Sequence, residues 1–202
     1  ASLVGSEMCI RDRTILCAAR AQDATGLYLN NRAPLMAKSY MELPIGAVRP
    51  QGWLKDQLER MCNGMTGHLD ELYSKVMGPR NGWLGGDGDV WERGPYWIDG
   101  LLPLAYIMDD ARLKEKVQPW VEWVLKSQQP DGYFGPYEDH APESGLQRNN
   151  ARDWWPKMVV LKFMKQYYDA TGDQRVIPFM TGYFKYLSLI HISEPTRLAL
   201  IS

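Results

Sequence analysis

Three stretches of the chain mix carboxylates with flat aromatic side chains. The first is Asp87-Gly-Asp89-Val-Trp91-Glu92-Arg93-Gly-Pro-Tyr96-Trp97-Ile-Asp99, the second runs from Asp131 to His140, and the third is Arg152-Asp153-Trp154-Trp155-Pro156. Indole and phenol rings pair an apolar face with a polar handle, so they stack on sugar rings as readily as they pack in cores. Carboxylates accept paired sugar hydroxyls, or act as general acid or base where burial tunes them. Carbohydrate binding is the chemistry this pattern suits, with Trp91, Glu92, Tyr133, Arg152, Asp153 and Trp154 as candidate substrate-binding residues. Each has a plainer reading. Asp89 or Glu92 would cap a helix beginning near Tyr96, Asp153 would cap the helix after it, and Asp131-Gly132 is a strong turn.

Other chemistries find no support. The sequence holds no GxGxxG, no GxxxxGK[ST] and no HExxH. Cys62, His68 and His140 are too scattered for a zinc site, so no metal site is expected here. His68 reads as a surface residue and Cys62 as a small buried hydrophobe. The 202 residues carry 23 Lys+Arg against 24 Asp+Glu, a balance with no basic footprint for nucleic acid. The apolar run Leu101–Met108 is far short of the roughly 20 residues that span a bilayer.

The elements that must position these clusters read as helices. Trp53, Leu54, Leu58 and Met61 fall at helical spacing, predicting a helix over about Gln51–Cys62. Leu69, Leu72, Tyr73 and Val76 lie at i, i+3, i+4, i+7, one face of a second helix. Gly78–Asp89 holds five glycines and a proline and must be a loop, and a loop of that length is more often functional than idle. Trp97–Met108 is apolar almost all round, with Pro103 as a kink or as the true start. Leu113, Val117, Trp120, Val121 and Val124 predict a further helix that ends near Gln129, with Pro119 conflicting. Val159, Val160, Phe163, Met164 and Tyr167 mark another, with Pro156 in its first turn and Thr171-Gly172 as its stop. One more begins at Val176. The strings "YIMDDARL" and "YDATGDQRV" recur about 63 residues apart as helix-to-helix joints, which points to an all-α chain forming a partial (α/α)6 barrel, about half of the toroid.

Both ends read as foreign. One reverse translation of Leu3–Arg13, taken on the opposite strand and in a shifted frame, encodes Leu187–Arg197. Unrelated protein segments do not share one DNA in this way. Residues 1–13 and 187–202 are therefore expected to be translated adapter sequence of the transposon-end type. Between them, Ala19 and Ala21 are spaced like a signal-peptide cleavage site, so 14–22 reads as a signal remnant and the location as periplasmic or secreted. Residues 23–42 form an extended lead-in, and 43–186 the helical domain. Cys17 would leave with the signal, and Cys62 alone cannot form an internal disulfide.

The strings "LPIGAVRPQGWLKDQL", "WERGPYWIDGLLPLAYIMDD", "SQQPDGYFGP" and "DWWPKMVVLKFMKQYYDATGD" resemble the N-terminal half of the catalytic domain of glycoside hydrolase family 127-like proteins, the β-L-arabinofuranosidase type. The resemblance spans nearly all of Pro34–Tyr186. It implies an (α/α)6 barrel and a secreted, retaining hydrolase acting on side chains of plant-type or complex polysaccharides. It also implies a zinc-bound Cys thiolate nucleophile and a Glu acid/base, both downstream of Tyr186. No catalytic residue is thus assigned here, and zinc belongs to the full-length protein. Where characterised arabinofuranosidases have a His-Glu pair facing the sugar, this chain has Arg152-Asp153, and an arginine there would suit an acidic sugar such as a uronate. The chain alone is expected to be inactive, with inner-helix faces such as Trp97–Met108 uncovered. Two alternatives remain: a non-catalytic α/α toroid that binds glycan by stacking, and another α/α-barrel carbohydrate enzyme such as an unsaturated-uronyl hydrolase.

Overall fold

The computed structural model describes residues 30, 31, 33–139 and 151–192. The expected signal remnant, the first tail, His140 and residues 193–202 lie outside them. The chain divides into two units, 1–44 and 45–202. In the first, Asn30 organises a short turn: its Oδ1 accepts the backbone N–H groups of Asn31 and Lys38, each at 2.8 Å.

The second unit is helical. Its elements are α1 (Trp53–Asn63), α2 (Met65–Leu72), α3 (Ser74–Met77), a 3-10 turn (Gly82–Leu84), α4 (Arg93–Ile107), α5 (Ala111–Lys126), α6 (Trp154–Thr171) and α7 (Val176–Ile192). No strand occurs among the described residues, and the architecture is that of an all-α part of an α/α-barrel domain. Helix α4 is central, packing on α5 and α6 and on the shorter α2 and α3. Trp97, Ile98, Leu101, Leu102, Leu104 and Ala105 are all buried on it, which is why its sequence is apolar nearly all round. Each such leucine contributes roughly 1.5–3 kcal/mol by leaving water.

Several sequence expectations need correction. Pro103 and Pro119 neither end nor begin a helix; both lie inside continuous helices, α4 and α5, each forgoing one bond to the carbonyl four residues back. The stretch Leu69–Val76 is two helices rather than one. Tyr73 leaves the helical region at φ −129°, ψ 51°, and the N–H groups of both Val76 and Met77 turn to its carbonyl. Leu72 is exposed as a result, while Val76 is fully buried. Helix α5 stops at Lys126, short of Gln129, because the turn of Pro130-Asp131-Gly132 is closed by Gly132 N–H to the Gln129 carbonyl. Helix α7 continues beyond Tyr186 to Ile192, and Leu187 packs against the core.

The repeated joints are built alike. Asp109 (φ 56°) and Gly172 (φ 72°) both take the left-handed conformation that ends a helix. The next residues, Asp110 and Asp173, then accept backbone N–H groups from Leu113 and Arg175 through their side chains. Each aspartate thereby satisfies a backbone amide at the turn into the next helix.

Candidate functional site

Helix α6 begins at a hub. Asp153 is extended (φ −61°, ψ 141°), and its Oδ1 accepts the Trp155 N–H at 2.9 Å, an N-cap. Its Oδ2 accepts the indole N–H of Trp91 at 3.0 Å. The carbonyls of Val90 and Trp91 in turn accept the Trp83 indole N–H, each at 3.0 Å. Trp83 is fully buried, with Trp123 and Phe134 each 6.2 Å away ring to ring. The first and third sequence clusters are therefore wired together, and the second is packed on the same indole.

The second cluster supplies a wall. Asp131 Oδ1 accepts the Tyr133 N–H at 2.9 Å, and Gly132 adopts φ 97°, so Tyr133 swings inward and is only 5% exposed. Its hydroxyl donates to the Pro136 carbonyl at 2.9 Å, and burial raises its pKa well above that of a free tyrosine. Tyr137 and Tyr186 meet its ring edge-on at 5.4 and 5.7 Å.

Behind that wall lies Lys157, 1% exposed. Its ammonium donates to the carbonyls of Ala151 and Asp153, each at 3.0 Å, and sits 4.8 Å from the Tyr133 ring centroid. Burial pulls its pKa down to about 8, partly offset by the Asp153 carboxylate. Lys157 escaped the sequence reading, yet a signal was there: it falls at core spacing with Val160, Met164 and Tyr167, where a lone lysine is anomalous.

These groups enclose a cavity of about 230 Å³. Of the sequence-predicted residues, Tyr133, Arg152 and Trp154 line it; Asp131, Tyr137, Lys157, Tyr183 and Tyr186 complete it. The Arg152 guanidinium lies 4.1 Å over the Tyr137 ring, with Nε donating to the Tyr137 carbonyl at 3.4 Å. Trp91 stands behind the cavity, bonded to Asp153, whose two oxygens both hold protein donors. Glu92 is not brought there. It sits at the N-cap position of α4 without a side-chain capping bond. Asp89, the other candidate cap, is fully buried and paired with Arg93.

A second groove, about 300 Å³, runs between α4 and α6 beside Tyr96, Asp99, Trp155, Met158 and Lys162. Tyr96, Trp155 and Met158 are exposed, so the uncovered apolar face lies here and not along Trp97–Met108. Trp97 is covered because its indole donates to the Thr66 carbonyl of α2 and packs 5.9 Å from Trp120 of α5. Among the described residues no three His, Cys, Asp or Glu side chains converge to hold a metal ion. Cys62 is buried, its thiol pKa raised chiefly by that burial. No zinc-dependent step is assigned to these residues. No helix among them is long and apolar enough to cross a membrane.

Helices α6 and α7 and the loop before them thus gather phenols, an indole and a fixed cation around one cavity. The family described as Beta-L-arabinofuranosidase, GH127 catalytic domain matches residues 12–198. The chain belongs to that family, and its class is glycoside hydrolase. Comparisons with curated proteins and with solved structures gave no match.

Proposed function

We propose that the Tyr133–Arg152–Trp154 cavity is a glycan subsite of a secreted or periplasmic hydrolase. The enzyme would cleave arabinofuranoside-type side chains of complex polysaccharides with retention. The observation that carries the subsite is the convergence of three chain segments, around Tyr133, Arg152–Trp154 and Tyr183–Tyr186, on one aromatic and cationic cavity. Export is supported by the Ala19-x-Ala21 spacing, and retention by membership in the family. The Glu and Cys that the resemblance implies as acid/base and nucleophile have no counterpart lining the cavity, and the open Tyr96–Trp155–Met158 face needs a covering partner. On both grounds the chain by itself binds sugar without hydrolysing it.

Titration of the chain with an L-arabinofuranosyl disaccharide, alongside an assay on an aryl β-L-arabinofuranoside, tests this reading. Saturable binding that Trp154→Ala abolishes, without turnover, is the expected result. Turnover by the chain alone would overturn the assignment of inactivity. Absence of saturable binding would overturn the subsite.

A further inference from the structure

The cavity is asymmetric in charge. Arg152 is held at its rim by the Tyr137 ring and carbonyl through one face and Nε. Its two terminal nitrogens have no protein partner among the described residues. They present the planar donor edge that recognises carboxylates in a fork. Lys157 lies fixed beneath, its ammonium already committed to two carbonyls, so it contributes potential more than a direct contact. Asp131, the one acid lining the cavity, has Oδ1 engaged by the Tyr133 N–H. The remaining lining is phenolic and indolic, with Trp154 45% exposed. Such a face suits a sugar ring, and a buried cation behind it favours an anionic occupant over a neutral one.

We infer that this cavity takes a carboxylate-bearing sugar residue, its carboxylate on the terminal nitrogens of Arg152 and its ring against Trp154 and the tyrosines. The inference rests on the reading of the cavity as a glycan subsite and adds the charge of the sugar it accepts.

The test is titration of the 202-residue chain with galacturonate, with galactose and with acetate at matched ionic strength. Binding is followed by calorimetry and by the indole N–H resonances, for the native chain and for Arg152→Gln. Arg152 is exposed, and an unchanged melting temperature checks that the variant folds. Galacturonate binding about tenfold or more tighter than galactose is expected, with Arg152→Gln reducing the preference to near-equal affinities. Equal binding of the two sugars, unaffected by Arg152→Gln, would overturn the inference and leave the subsite standing. Acetate binding as strongly as galacturonate with no galactose binding would mean a bare anion site and overturn it too. No binding by either sugar would overturn the inference, while the subsite itself stands or falls on the L-arabinofuranosyl titration.

Discussion

Trp91 donates its indole N–H to Asp153 Oδ2 at 3.0 Å, joining the segment that leads into α4 to the cap of α6. The same carboxylate holds the first free amide of α6 through Oδ1. One side chain thus fixes both the start of a helix and its distance from the neighbouring loop. Removing it should cost more than a cap alone. Asp153→Ala is expected to destabilise by about 2 kcal/mol, Trp91→Phe by about 1. In a double-mutant cycle by chemical denaturation the two should be non-additive by about 0.5 kcal/mol or more. Additive losses would show that the bond contributes nothing.

Lys157 makes stability depend on pH in an unusual direction. Its folded pKa of about 8 lies below the ordinary lysine value of 10.5. Between those values the unfolded chain binds the proton that the folded chain has released, so stability rises with pH. The buried phenols Tyr106 and Tyr183, both pushed up to about 12, act oppositely above pH 10, as does the raised thiol of Cys62 above its own ordinary value of 9.0. The clean readout is therefore a difference. Lys157→Met should remove a rise of roughly 2 kcal/mol between pH 8 and 10. Identical pH profiles for the two proteins would refute the assignment.

Gly132 sets where Tyr133 goes. At φ 97° a Cβ would lie 2.2 Å from the Gly182 carbonyl oxygen of α7, so the backbone must move, not merely a side chain. Gly132→Ala is expected to destabilise by about 3 kcal/mol and to shift the Tyr133, Tyr183 and Tyr186 ring resonances together. A melting temperature within a degree of the native one would contradict this packing.

The two left-handed joints should respond differently to glycine. A Cβ at Gly172 meets nothing within 4 Å, so Gly172→Ala reports backbone strain alone, about 1 kcal/mol. Asp109→Gly relieves the same strain but removes a carboxylate that pairs with Lys114 and lies 3.8 Å from Arg49. These pairs are solvent-exposed and screened. The expected outcome is a neutral or slightly stabilising change, measured by urea unfolding; a loss comparable to Gly172→Ala would reverse this ranking of strain over charge.

Helix positions and caps were legible because they depend on local spacing. Val159, Val160, Phe163 and Met164 repeat at helical period, Asp153 caps one end through its carboxylate, and Gly172 ends the other through its left-handed backbone. The break at Tyr73 was not legible: no Gly or Pro marks it, and the Tyr73 hydroxyl is met by Arg93 Nη1 from 20 residues away. Of the cavity, Tyr133, Arg152 and Trp154 were read from composition and resemblance. Tyr183 and Tyr186 carry no comparable signal in sequence, because only the chain's turn at Gly132 brings Tyr133 against Tyr186. Glu92 lies off this cavity, because the chain turns into α4 there.

Ala151 is held from both sides, its N–H by Asp139 Oδ1 at 2.9 Å and its carbonyl by Lys157. Positions 139 and 151 are thereby pinned as a fixed pair of feet, whatever sequence stands between them. For a chain closed on such feet, doubling the intervening length costs only about 0.6 kcal/mol. The helices are thus anchored at both feet, and a change of chain length between them reaches the scaffold only as that small closure cost.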